Sequence, residues 1–208
     1  MVQLIFIYWF KRQASKSAKI ILSPHFSRKE IEDILSKYWD RYLSLKKDVL
    51  YQPTLGGRTM VHLAAMSTAF YNELEYRGFD EKTITDWFYQ IAWKVYVKMG
   101  KMSWSIAGLF GKRKKLKKSI SLFRKFPFNN PSYKWIDHIN NEKEISFDCV
   151  KCPVAEYFGR HELSNFCSNT WCAFDFPLAE LWGAKLERKG SIAGGATKCD
   201  FKWIAKNV

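Results

Sequence analysis

The stretch "EISFDCVKCPVAEYF", residues 144–158, is where the character of this chain changes. Ile145, Phe147 and Cys149 alternate with Ser146, Asp148 and Val150, the two-residue period of a strand with one buried face. Directly after it, Pro153 stands where a helix can begin, because the missing N–H has no intrahelical use in the first turn. Upstream the period is helical. "SRKE", residues 27–30, reads as a capping box, and Ile31, Leu35, Tyr38, Trp39 and Tyr42 then share one face of a helix to about residue 48. Pro53, Gly56 and Gly57 in "QPTLGGRT" mark a loop. A second helix is expected over 58–77, closed by Gly78, and a third from the Asp80 cap to Gly100. Ile106, Leu109, Phe110, Leu116, Ile120 and Phe123 give a fourth. Residues 1–22 read as a hydrophobic lead-in, a strand or a short helix packed on the body, and "FPFNNPSYKW" (126–135) breaks the helical pattern.

Downstream of 158, "LSNFCSNTWCAFDFPLAELWG" (163–183) reads as helix interrupted by Pro177. "AKLERKG" (184–190) and "TKCDFKWIA" (197–205) read as two strands of a hairpin. The expected fold class is α+β: a helical N-terminal two-thirds followed by a small antiparallel sheet built from a strand, helices and a C-terminal hairpin. A single domain, 1–208, is expected, with an N-terminal extension (1–22), a helical part (26–126) and a cysteine-containing α+β part (144–206).

The totals narrow the partners. With 208 residues, 47% of them apolar, and 9 Trp, 10 Tyr and 16 Phe, the chain can build a substantial core. No apolar run reaches the roughly 18 residues that span a bilayer. "LIFIYWF" (4–10) is only seven residues long and lacks a small-residue cleavage site, so it reads as neither signal peptide nor anchor. It would suit a contact between subunits of a homo-oligomer. Five cysteines, an odd number, argue against a disulfide framework and for free thiols in a cytoplasmic setting. The net charge of +14 raises binding to nucleic acid or an acidic membrane surface. Yet the lysines of "GKRKKLKKS" (111–119) fall opposite the apolar positions, as on a solvated helix face, and no zinc-finger or RRM signature accompanies them. A small-molecule substrate is the expected partner instead.

The cysteines admit several readings. Cys149 and Cys152 form a C-x-x-C, but a zinc ribbon needs a second close pair, and Cys167 and Cys172 are five apart. A redox pair would need a βαβ context that the chain does not show. Cys172 and Asp175, at i and i+3, share a face if their helix is continuous. A kink at Pro177 would free backbone groups beside them, as suits a site. Equally, Cys172 can be a buried core thiol and Asp175 a cap.

The C-terminal run resembles the L-2-amino-thiazoline-4-carboxylic acid hydrolase family, small bacterial proteins that open a 2-aminothiazoline ring. The residues that carry the resemblance are Cys152-Pro153, Cys172-Ala173-Phe174-Asp175, the turn Ser191-Ile192-Ala193-Gly194-Gly195, and Cys199-Asp200-Phe201. "LGGRT" and the junction "YNELEYRGFDEKTI" add to it, so that the similarity spans roughly residues 50–205. The family pattern has Thr and Leu where Ser191 and Ile192 stand here. The resemblance implies a hydrolase of a small cyclic amidine or amide, with Cys172, Asp175 and Cys199 as catalytic residues and Cys152 at the substrate. Alternation would send Cys199 to the face of Phe201 and Trp203, with Asp200 opposite. Cys152 would gain from its helix N-terminus, which lowers a thiol pKa.

Such a reaction needs a nucleophile at the amidine carbon and a proton for the leaving atom. A thiolate can supply the first, and Asp175 can hold the amidinium or act as base toward water. Arg58, in the Gly-rich loop, is a candidate for a substrate carboxylate. His62 is a candidate base or ligand, although a lone His among apolar neighbours is more commonly a hydrogen-bonded core residue. Neither a cofactor nor a metal is assigned, while three cysteines and an aspartate remain a zinc or iron donor set. A non-catalytic ligand-binding protein of the same fold is the alternative, and a basic nucleic-acid or membrane-surface protein the third.

Overall fold

The structure, a computed structural model, describes residues 2–109 and 114–206; Phe110 and the start of the basic run, residues 111–113, lie outside them. Helices α1 (Val2–Leu22), α2 (Arg28–Leu45), α3 (Leu55–Tyr76) and α4 (Glu81–Gly108) precede a shorter α5 (Lys115–Lys125). Strands β1 (Lys134–Asn140) and β2 (Glu144–Lys151) follow. Then come α6 (Pro153–Arg160), α7 (Ser164–Cys167), a π turn (Ser168–Cys172), α8 (Asp175–Leu181), β3 (Ala184–Glu187) and β4 (Cys199–Ala205). The sheet is antiparallel throughout, in the order β1-β2-β4-β3. Helices followed by a small antiparallel sheet are the architecture that the residue periods indicated.

The caps are where the side chains allow them. Ser27 and Glu30 form a reciprocal capping box on α2, Asp80 accepts from Thr83 N–H at the start of α4, and Gly78 follows α3 at φ 87°. The third helix runs eight residues past its expected end. Gly100 sits inside α4 because a neighbour needs the room: a Cβ there would lie 2.5 Å from Leu178 Cδ1. The Gly100 carbonyl also accepts from Trp182 Nε1 at 3.0 Å. The lead-in is longer and more regular than expected, a 21-residue helix whose Ile7, Ala18 and Leu22 enter the core.

Two apolar clusters make the interior. One joins α1–α4 to α6 and α7; the other joins α5 and α8 to the sheet. At the edge of the first, Glu73, only 3% exposed, receives Arg41 Nε and Arg77 Nε, each at 2.7 Å, and so ties α2 to α3. The start of α3 is locked to the 126–133 loop by Gly56 and Gly57. A Cβ at Gly56 would meet the backbone oxygen of Pro127 at 2.2 Å, where nothing flexible can yield. Gly56→Ala is therefore expected to cost about 1–3 kcal/mol, as overpacking does, and to lower Tm in a thermal melt without changing the site chemistry.

One face of the sheet points inward. The register pairs Ile145 with Trp203, Phe147 with Phe201 and Cys149 with Cys199, so β2 and β4 present three matched rows to the interior. Phe147 and Phe201 stack at 5.2 Å. On the other face, Asp148 pairs with Lys198 at 2.7 Å and His138 at 2.8 Å. Asp200 receives the N–H groups of Lys189 and Gly190, the latter at 2.7 Å, and so anchors the loop into β4.

Candidate active site

A cavity of about 120 Å³ lies between the inner face of the sheet and the helices that cover it. A single water needs roughly 10–15 Å³, so the space suits a small organic molecule. All five cysteines line it, together with Asp175 and Arg188. A second cavity of about 110 Å³, between α1, α2, α3 and α4, shares Tyr96, Trp171 and Phe174 with the first but carries neither cysteine nor carboxylate. Of these two cavities, only the first is lined by thiols and a carboxylate.

The local structure explains how they meet. After α7 the chain widens into the π turn, which ends on Cys172, and re-forms as α8 at Asp175. Thr170 Oγ1 donates to Phe166 O at 2.5 Å and Trp171 Nε1 to Ser67 Oγ at 3.3 Å, holding the turn against α7 and α3. Such π turns are common at functional sites because they re-aim side chains. The helix is thus not continuous through Cys172 and Asp175, as the i, i+3 reading required. Nor does Pro177 make the break. It lies in the first turn of α8, where its missing N–H costs nothing, and the Ala173 carbonyl accepts from Phe176 N–H at 3.3 Å.

Arg188, one residue past β3, joins the two. Its Nη1 donates to Asp175 Oδ2 at 2.7 Å and its Nη2 to the Cys172 carbonyl at 3.0 Å. The guanidinium also lies 5.5 Å from the Phe201 ring and 5.1 Å from that of Phe176. Its side chain is 7% exposed and that of Asp175 21%. Burial raises the Asp175 pKa from 3.8 to about 6, against the opposing pull of Arg188.

The thiols differ from one another. Cys149 donates to the Lys151 carbonyl at 3.1 Å, and burial pushes its pKa well up. Cys152 caps α6, accepting from Ala155 N–H at 3.5 Å, yet burial outweighs the helix terminus and raises its pKa far above the ordinary value. The expected lowering at Cys152 is therefore reversed. Cys199 accepts from Ile192 N–H at 3.2 Å and is pushed up to about 11, by burial first. Cys172 alone moves the other way. The Cys167 thiol donates to its sulfur and lowers its pKa, with Arg188 and the Ser191 hydroxyl acting in the same direction against burial and Asp175. Cys167, as that donor, is raised.

The structure brings together Cys152, Cys172, Asp175 and Cys199, with Cys199 on the face of Phe201 and Trp203 as alternation indicated. It places Arg58 and His62 elsewhere. Arg58 stands in the first turn of α3 rather than in a loop, and its guanidinium turns back on the preceding segment, donating to the carbonyls of Gln52 at 3.0 Å and Pro53 at 3.3 Å. His62 Nδ1 lies 3.1 Å from the Tyr42 hydroxyl, half-buried between α2 and α3, and burial lowers its pKa. Neither lines the cavity. The cation at the site is Arg188, which no spacing linked to Asp175, thirteen residues earlier across a strand. Tyr133 and Trp203 also line the cavity, and among the described residues the Tyr133 hydroxyl and Trp203 Nε1 are buried without a protein partner. Both can donate to a ligand. No group of three or more His, Cys, Asp or Glu among the described residues is arranged to hold a metal ion.

The raised Asp175 pKa makes stability depend on pH. Between about 3.8, where an unfolded aspartate ionises, and about 6, the folded protein holds a proton that the unfolded chain has lost. This group's contribution to stability therefore falls as pH rises through that window. Melting curves of the parent protein and Asp175→Asn, followed from pH 3 to 8, should diverge across the window and run parallel outside it.

No curated protein matches the chain. The model of the L-2-amino-thiazoline-4-carboxylic acid hydrolase family matches residues 58–203, from the first turn of α3 to the middle of β4. That span takes in every residue of the cysteine-lined cavity. By this match over most of its length, and with its cysteines gathered around one small cavity, the chain belongs to the L-2-amino-thiazoline-4-carboxylic acid hydrolase family.

Proposed function

We propose that this protein hydrolyses a ring C–N or C–S bond of a small cyclic amidine, with Cys172 as nucleophile and Asp175 as its proton-handling partner. One observation carries the reading: of the five thiols around the cavity, Cys172 alone has a lowered pKa, and it stands beside a carboxyl titrating at about 6. A thiol held below its usual pKa, and so more readily turned into a nucleophile, next to a group that gives and takes protons near pH 6 is what covalent hydrolysis requires. The Cys172 sulfur adds to the amidine carbon, the ring bond breaks, and the leaving ring atom takes a proton held by Asp175. Water then replaces the sulfur, Asp175 takes one of its protons, and Cys172 departs as the thiolate that began the cycle. Arg188 is a positioning residue that holds the Asp175 carboxylate and the Cys172 backbone in one frame. In this reading Cys199 supports the site: its sulfur fastens the 191–195 turn, whose Ser191 hydroxyl reaches Cys172.

Purified protein incubated with 2-aminothiazoline-4-carboxylate, followed by mass spectrometry, tests the proposal. With hydrolysis of the covalent intermediate limiting turnover, ring opening is expected at a rate that falls as pH drops through about 6, since Asp175, having given up its proton, must stay ionised to take one from water. Thermal stabilisation by the compound with no product would identify a binding protein and refute the hydrolase reading.

A further inference from the structure

The outer face of α1 carries Leu4, Ile5, Tyr8 and Trp9, exposed by 58, 65, 58 and 41%. α1 lies along α4, and the 2.7 Å bond from Lys98 Nζ to Gln13 Oε1 fixes their register. Counting from that pair in opposite directions puts Met102, Ile106 and Leu109 beside the first turns of α1; they are exposed by 61, 41 and 84%. Phe126, 41% exposed, meets Phe6 at 5.8 Å and extends the surface to the end of α5. Three elements thus bring large apolar side chains to one end of the molecule.

Cations surround this end. Arg12 and Lys16 continue the Tyr8 face of α1 over the next two turns, and Lys101, Lys114, Lys117 and Lys125 are exposed on and beside α4 and α5. No Asp or Glu occurs in α1 or α5, and none between Asp86 and Asp137. An apolar tip whose collar holds more cations than acids, with Asp40 acting on Lys11 and Asp137 on Arg124, matches one kind of surface.

We propose that this end of the molecule docks on an anionic phospholipid bilayer. With α1 entering end first, Leu4 would lie about 7.5 Å deeper than Trp9 along the helix axis, so that only the tip enters the bilayer. Trp9 and Tyr8 would then sit at the headgroups, where aromatic residues with a polar edge are favoured, and the collar would face the anionic lipid. A second copy of the chain fits less well, because it would bring the same cations face to face in a protein of net charge +14. Nucleic acid has no use for exposed Leu4, Ile5 and Leu109. Among the described residues no helix is long and apolar enough to cross a membrane, so the contact is peripheral.

Co-sedimentation of the full chain with vesicles tests this. Binding is expected to vesicles of phosphatidylcholine with about one-third phosphatidylglycerol, and to be at least tenfold weaker to phosphatidylcholine alone. Raising salt from 0.05 to 0.5 M should weaken it several-fold as the field is screened. Ile5→Glu with Trp9→Glu, and separately Lys114→Glu with Lys117→Glu, should each reduce binding at least tenfold with an unchanged melting curve. Lys29→Glu, an exposed cation on α2, should change it little. Three results would overturn the proposal: no vesicle binding, binding that survives the Ile5/Trp9 pair, or a dimer in light scattering that this pair dissolves while vesicles are ignored.

Discussion

Replacing Cys172 by alanine is expected to lower turnover by about 10³-fold or more, the scale on which loss of a covalent nucleophile is felt. The fold should hardly notice. Cys172 is half-buried at the end of the π turn, and its backbone contacts, including the carbonyl that receives Arg188, survive the substitution. A Tm shift of only a few degrees is expected, consistent with a stability change of about 1 kcal/mol or less. Cys172→Ser should be nearly as inactive, because a serine hydroxyl is not ionised by the contacts that favour the thiolate. Cys199→Ala should behave differently. Its buried sulfur holds Ile192 N–H, so the variant should lose stability while keeping measurable turnover. Steady-state rates and thermal melts on the three variants separate attack from support.

Arg188→Met should affect both stability and chemistry. Removing the guanidinium leaves a largely enclosed Asp175 without its partner and strands the Cys172 carbonyl. Breaking such a pair from one side costs about 3 kcal/mol, since the remaining charge keeps its desolvation penalty. The chemistry moves as well. Arg188 opposes the rise of the Asp175 pKa, so without it Asp175 holds its proton to higher pH. The acid limb of the pH–rate profile should therefore shift upward from about 6, and Cys172 should lose one of the groups that lower its pKa. A melt that falls with an unmoved acid limb would make Arg188 structural only. Arg188→Lys should recover part of the stability but not the geometry, because an ammonium cannot bridge the carboxylate and the Cys172 carbonyl as a fork does.

Much of the fold was legible because local signals and burial agree. The alternation of Ile145, Phe147 and Cys149 marked β2, and Ser27, Asp80 and Gly78 marked helix ends with their own hydrogen-bonding chemistry. β1 escaped notice because it is an exposed edge strand: Lys134–Asn140 has no buried face to imprint a period on the sequence. Gly100 misled for the opposite reason. A glycine that reads locally as a stop was placed by a contact with Leu178, seventy-eight residues away. The site was half legible. Cys152, Cys172, Asp175 and Cys199 came from the motif resemblance and do gather around one cavity. Arg188, Tyr133 and the Cys167 thiol that tunes Cys172 did not, because each meets the site only through tertiary packing. Arg58 and His62 looked suitable by type, yet each has its hydrogen bonds satisfied outside the cavity.

Native-state alkylation decides whether Cys172 is the nucleophile. The intact protein is exposed to iodoacetamide at pH 7, the labelled cysteines are mapped by mass spectrometry over time, and residual activity is read from the same samples. Four thiols with raised pKa values and one with a lowered value predict a single fast label on Cys172, with activity lost in step with it. Fast labelling at Cys152 or Cys199 instead, or full activity on protein already alkylated at Cys172, would show that Cys172 is not the nucleophile.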